Sequence, residues 1–297
     1  MKRRKKITSV VTLPRVALLL GAGAITLIFL LIFLPESSRV NSSDTLIKKI
    51  YEPAQPSVEW NESALPSTLV SPEPRTGIDL IPIAIVVDDA GHNVADADAY
   101  LRFPGKLSVA VLPQLAFSEE VAARALQAGK EVILHLPMEP EGPSDPGPGA
   151  IRVSYDTNEV MERLEENFSS VVTRGVNNHM GSRATADARI MNMVMAYLKK
   201  TDRFFLDSRT TPDSVASDAA TRHGVPFLSR DVFLDVTADE ETVNAAFDRG
   251  MTIGREQGSA ILIGHVTNQV VVSVLERRIE EIEEAGFELV YLSELLP

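Results

Sequence analysis

The chain has 297 residues, 44% of them hydrophobic, and a formal net charge of −12. That is enough for one large folded domain with additional segments. With no cysteine at all, disulfides, thiolate metal sites and a cysteine nucleophile are excluded, and the acidic balance argues against nucleic acid, whose phosphates it would repel.

The charge is unevenly placed. Residues 1–15, MKRRKKITSVVTLPR, hold six Lys and Arg and no acid. Residues 16–34, VALLLGAGAITLIFLLIFL, are nineteen uncharged, mostly apolar residues. A helix of that length just spans a hydrocarbon core at about 1.5 Å rise per residue. A basic tip stays cytoplasmic, so the sequence predicts a single-pass inner-membrane anchor with the body in the periplasm of a Gram-negative cell. A cleaved signal followed by secretion is the alternative, but its apolar run is usually shorter and no small-x-small site follows Leu34. Residues 35–80 are rich in Pro, Ser and Glu without a sustained period. Such a segment buries too little apolar surface to offset its ordering entropy, and reads as a disordered linker.

From residue 81 to 297 the pattern changes. Short apolar or β-branched runs at 83–87, 107–112, 131–136, 175–178, 203–206, 226–230, 259–264 and 288–292 predict strands. Between them, 118–128, 157–173, 187–200, 213–223, 239–256 and 270–285 read as helices, several opening on an acidic or hydroxyl residue. Gly129 and Gly286 stand where a C-cap glycine belongs. Strand–helix alternation predicts a largely parallel sheet. No Gly-x-Gly-x-x-Gly follows the first strand, which weakens a dinucleotide fold. The expected fold is an α/β, distorted (β/α)7–8 barrel rather than an open doubly wound sheet.

The chemistry-capable residues gather at strand ends. Asp88 and Asp89 follow the first strand, His135 closes the third, His179 follows the fourth and Asp207 the fifth, Asp231 closes the sixth and His265 follows the seventh. In a β/α barrel these ends face one mouth. Strand-to-helix loops favour Asp anyway, as helix caps. Yet of only five histidines three close strands, and His92 sits in the loop after the Asp pair; His223, at a helix end, reads as a C-terminal cap partner. Two imidazoles and a carboxylate make a zinc-like ligand set with an open position. Adjacent carboxylates resist sharing a site unless a cation lies between them, so one of the pair could bind it while the other stays free as a base. The Pro/Gly-rich stretch 139–151 beside His135 reads as a substrate lid or a rigid surface loop. Arg183 and Arg209 read as clamps for an anionic or carbonyl group, or as ion-pair partners.

The segments IAIVVDDAGH, VAVLP, EVILHLPMEP, NNHMGSRAT, FFLDSRTT, RDVFLD and AILIGH together resemble the divergent polysaccharide deacetylase family, an envelope branch related to carbohydrate esterases, over about residues 81–295. The resemblance implies a divalent metal, zinc first among them, with Asp88 as base, Asp89 as ligand, His265 as general acid and Asp207 orienting it. Ordinary polysaccharide deacetylases place two ligand histidines four residues apart. Here the matching stretch runs from His135 to Glu139, so the third ligand is either Glu139 or His179, with His179 favoured because imidazole suits zinc. Asn178, Arg183, Ser208 and Asp231 fall within the motifs as substrate contacts or extra ligands. The implied activity is a metal-dependent hydrolase that deacetylates an N-acetylated glycan, peptidoglycan or polysaccharide. Glu139 motivates a rival, a catalytically degenerate barrel that binds glycan or an envelope protein partner. A metal phosphoesterase ranks last, since an acidic body disfavours polyanions.

Overall fold

The computed structural model describes residues 80–297. The basic tip, the anchor and all of the linker but Leu80 lie outside the described residues. Among the described residues no helix is long and apolar enough to cross a membrane.

The chain forms β1 (Ile81–Ala90), α1 (Asp98–Arg102), β2 (Ser108–Val111), α2 (Ser118–Gln127), β3 (Glu131–Met138), α3 (Thr157–Ser170), β4 (Gly175–Met180) and α4 (Ala188–Lys200). There follow β5 (Phe204–Asp207), α5 (Ala216–His223), β6 (Phe227–Ser229), β7 (Val232–Phe233), α6 (Glu240–Gln257), β8 (Ala260–His265), α7 (Gln269–Glu284), β9 (Phe287–Val290) and a 3-10 turn, Leu292–Leu295. Five helices, α2, α3, α4, α6 and α7, start within one residue of where the sequence predicts, whereas α1 is an addition and α5 starts at Ala216 rather than 213. Asp156, Asp187, Asp239 and Asn268 each accept hydrogen bonds from first-turn backbone N–H groups, satisfying donors that no earlier turn can reach. Gly129 and Gly286 follow helices with φ of 70° and 87°, the left-handed geometry glycine adopts without strain. His223 instead pairs through Nε2 with Asn192 Oδ1 of α4, 3.0 Å away.

The strands run in the order β6-β5-β4-β3-β2-β1-β8-β7, all parallel. The two edge strands are consecutive in sequence, separated only by Arg230 and Asp231. Arg230 N donates to Asp207 O on one edge and Asp231 N to Ile261 O on the other. A sheet whose opposite edges meet within two residues must curl, and the result is a parallel half-barrel with helices outside. The expected eight strands differ in two ways. The sixth is shortened to β6, and an unpredicted strand, β7, follows it after two residues, so that neighbouring segments serve both edges. The eighth, β9, leaves the path and pairs with the start of β1, Ile81↔Phe287.

Two apolar clusters show which face is which. Ile83, Ile85, Val87, Val109, Val132, Leu134, Val176 and Leu262 pack with helix residues such as Tyr100, Val160, Ile190, Phe247 and Val271. The alternate positions Ala84, Val86, Ala110, Ile133, Leu206, Ile261 and Ile263 cluster with Leu292 and no α-helical residue, so they line the concave side. Side chains alternate along a strand. The same concave rows therefore continue to Asp88, His135, Asn177 and His265 at the C-terminal ends. At the opposite end Leu292 N donates to Ser108 Oγ, 3.0 Å, and Ser108 Oγ donates to Glu131 Oε2, 2.6 Å, so the 3-10 turn covers that mouth.

The start of β4 is tightly packed against its neighbours. A Cβ on Gly175 would collide with the Phe204 ring and Ile133 Cγ2 on the concave face. Overpacking of this kind costs roughly 1–3 kcal/mol. Gly175→Ala is expected to lower the unfolding free energy by about that amount, read from the urea midpoint at unchanged slope; an unchanged midpoint would show that β4 shifts freely.

Candidate metal centre and its acid–base partners

β1 answers the puzzle of its paired aspartates. In a regular strand Asp88 and Asp89 would point to opposite faces. The ladder to β2 instead runs Val87↔Val109 and then Ala90↔Val111, so β1 carries one extra residue there. Asp89 sits in that bulge with φ 65°, a left-handed conformation rare for a residue with a side chain. The bulge turns both carboxylates toward His135: Asp89 Oδ1 lies 3.1 Å and Asp88 Oδ2 3.7 Å from its Nε2.

His179 completes the set. Its Nδ1 is 3.0 Å from Asp89 Oδ1 and 3.1 Å from His135 Nε2. Three ligand atoms thus form a nearly equilateral triangle. Zinc at about 2.0–2.1 Å from nitrogen and oxygen in a tetrahedral shell implies ligand–ligand edges of roughly 3.3 Å, close to what the triangle presents. Asp89, His135 and His179 are a cluster capable of holding a metal ion. The donor set is hard to intermediate, which suits zinc or a related divalent ion and does not by itself select one.

Asn177, the direct cross-strand neighbour of His135, backs the triangle. Its Oδ1 is 2.8 Å from His135 Nδ1; its Nδ2 donates to Asp88 Oδ1 at 2.8 Å and to Ser208 Oγ at 3.2 Å. On the far side of Asp88, β8 places His265 directly alongside. His265 Nδ1 lies 2.9 Å from Asp235 Oδ1, and its backbone N donates to Asp235 Oδ2 at 2.8 Å. Arg230 donates through Nε to Ser208 O, 2.8 Å, with its guanidinium 3.6 Å from the centre of the Phe233 ring.

The surroundings set these charges apart. Burial raises the Asp88 pKa, outweighing the histidines and Asn177. At Asp89 burial also pushes upward, but hydrogen bonds and charge from His135 and His179 win, and its pKa is lowered well below the usual carboxylate range. Burial alone would depress His135; the two aspartates overcome it and raise it. The Asp235 hydrogen bond lifts His265 to about 9. Desolvation, with help from Arg209, brings Arg230 down to about 10. Two neighbouring carboxylates pushed in opposite directions have the environment of one ligand and one base.

Other predicted site residues are placed elsewhere. Asp207 does not orient His265: it accepts from Ser214 Oγ and Arg209 N, each at 2.7 Å. β5 pairs with β4 and β6, whereas Asp235 follows β7, the strand beside β8. Asp231 stands in for a ladder bond, accepting from Ile261 N at 2.8 Å. Glu139 is not among the clustered ligands; its Oε1 accepts from Arg183, 2.8 Å, and its Oε2 from Val153 N, 2.7 Å. Those bonds, with Glu139 N to Ile151 O and Ile151 N to Pro137 O, close the base of the 139–151 loop. Arg183 is therefore an ion-pair partner here. Asn178 is out of phase with Asn177 and fastens the β5 turn by accepting from Ser208 N, 2.9 Å. Ser208 Oγ accepts from Asn177 Nδ2, 3.2 Å.

Sequence reasoning missed Asn177, Asp235 and Arg230. Asn177 was legible from alternation, two residues before His179. Asp235 ends the RDVFLD segment, four residues after Asp231, whereas its role toward His265 was expected of Asp207. Nothing in the sequence alone singles out Arg230.

Comparison with known proteins identifies the family and the fold. A 35% identical relative from Haemophilus influenzae aligns over 186 residues, 62% of this chain and 66% of its own length. The uncharacterized protein YibQ of Escherichia coli is 34% identical over 198 residues, 66% of this chain and 62% of its own. The chain thus spans about two thirds of the length of these curated relatives. A crystal structure of an uncharacterized protein from Agrobacterium tumefaciens superposes with a TM-score of 0.69 at 24% identity, covering 75% of this chain and 92% of that one, and shares the fold. The divergent polysaccharide deacetylase family matches residues 85–296, a span that contains every strand end described above, and the chain belongs to that family.

Proposed function

We propose that the chain is an envelope-anchored, divalent-metal-dependent hydrolase that removes acetyl groups from an N-acetylated glycan, peptidoglycan or a related polysaccharide. The observation that carries this reading is the meeting of Asp89, His135 and His179 at 3.0–3.1 Å, with Asp88 and His265 side by side next to them. Asp89 Oδ1, His135 Nε2 and His179 Nδ1 would hold the ion. When bound, a divalent ion in such a site polarises an acyl carbonyl and acidifies a water.

The chain's own residues supply the proton traffic. Asp88 takes a proton from the attacking water, its carboxylate steadied by Asn177. His265 faces the same cavity with Nδ1 on Asp235, leaving Nε2 to give a proton to the departing amine as the C–N bond breaks. Asp235 plays toward His265 the part the sequence reading gave Asp207. The scaffold-only alternative drew on Glu139, and Glu139 is engaged with Arg183 while His179 fills the third position, so the hydrolase reading is preferred. The anchor and the periplasmic placement rest on residues 1–34 of the sequence, with the linker giving reach to glycan.

The decisive assay is acetate release from N-acetylglucosamine oligomers or peptidoglycan in the presence of a divalent ion. Asp88→Asn is expected to lower the rate by about 10²–10⁴-fold while the ion stays bound. Binding of glycan without any acetate release by the unmodified protein would replace the enzyme with a scaffold.

The rate should also carry a basic limb. His265 is held protonated above its ordinary value near 6.5 and loses its proton as the pH rises through about 9. Activity is therefore expected to fall above about pH 9. In Asp235→Asn, which removes the charge that raises it, the limb should move down toward the free imidazole range. A pH–rate profile that keeps its basic limb in that variant would remove His265 from the role of acid.

A further inference from the structure

Asn177 is wholly buried, yet it is neither a ligand nor an acid or base. Its carboxamide has one acceptor end and one donor end. The donor end is placed by geometry: Nδ2 lies 2.8 Å from Asp88 Oδ1 and 3.2 Å from Ser208 Oγ, two oxygens that can accept from it. The acceptor end is thereby aimed at His135 Nδ1, 2.8 Å away, and that nitrogen must carry the hydrogen. The other ring nitrogen, Nε2, is the one 3.1 Å from both Asp89 Oδ1 and His179 Nδ1.

We infer that Asn177 is the positioning residue of this centre, one amide that fixes the His135 ring with Nε2 free for a cation and at the same time aims Asp88. The inference rests on the metal reading above and extends it: the ligand set and the base are not independent, because they share a single side chain. Outer partners of metal-bound histidines act in this way, and their loss typically weakens metal binding 10–100-fold. The two ends can be separated. Asn177→Ala removes both. Asn177→Asp keeps an oxygen for His135 Nδ1–H but has no amide hydrogen for Asp88.

The test is a zinc titration of metal-stripped full-length protein against a competing chelator, with proton NMR of the zinc-loaded form. Unmodified protein should show a downfield, slowly exchanging imidazole N–H assigned to His135, distinct from that of His265 on Asp235, which Asp235→Asn removes. Asn177→Ala should bind zinc about 10–100-fold more weakly and lose that signal. Asn177→Asp should keep both, yet release acetate far more slowly. The inference is overturned if Asn177→Ala binds zinc within about twofold of the unmodified protein with the protected proton still present. It is equally overturned if Asn177→Asp, folded by circular dichroism, loses zinc as completely as His135→Ala does. Both readouts work without substrate. A protein whose zinc affinity depends on Asn177 but which releases no acetate would retire only the deacetylase reading. An active protein indifferent to Asn177 would retire only this one.

Discussion

The backbone at Asp89 turns left-handed, and that turn is what lets two consecutive carboxylates face one cavity. In an unbroken strand one of them would point among the helices, and the pair could not share His135. A non-glycine residue in this conformation costs on the order of 1–3 kcal/mol and persists only where its surroundings over-determine it. Here the surroundings are the ladder to β8, which stays in register through Asp88↔His265, and the bulge opposite β2. The same device recurs at two other strand ends on the mouth. Met180 follows His179 with φ 52°, and Arg209 follows Ser208 with φ 51°. The fold is regular where it packs and bent where side chains must be re-aimed.

Charge follows from that geometry. Asp89, Asp88, His135, His179 and His265 crowd one end of a largely apolar concave face, where the effective dielectric is low and each unpaired group is costly. The arrangement sorts them instead of neutralising them uniformly. Asp89 keeps its charge through two imidazoles; Asp88, more deeply buried, is raised. Asp235, only 2% exposed at its side chain, holds His265 in the protonated form. A triangle of three ligand atoms at 3.0–3.1 Å is a poor hydrogen-bonded arrangement and a good face for a small cation.

Much of this was legible in the sequence, for physical reasons that can be named. Apolar runs of four to six residues alternating with amphipathic segments give β/α units, and parallel β/α units bring their C-terminal ends to one side, so Asp89, His135 and His179 could be expected to meet. Alternation along β4 could have added Asn177, since it must share a face with His179. What resisted was register between strands distant in sequence. Whether Asp207 or Asp235 reaches His265 depends on which strand neighbours β8, and that is decided by β7, a two-residue strand beyond the predicted 226–230 run, with no compositional mark. Arg230 sits in that same break, and its role is visible only once the two edges meet. Glu139 was ambiguous for a related reason: its partner, Arg183, lies beyond the next strand.

Everything in the proposed chemistry depends on Asp89, His135 and His179 surrounding one divalent cation. Anomalous diffraction at the zinc edge, from crystals grown with zinc, would locate it. A single strong peak is expected within bonding distance of Asp89 Oδ1, His135 Nε2 and His179 Nδ1, about 2.0–2.2 Å. A map with no peak there, or with the ion held by other residues while these three atoms remain together, would contradict it.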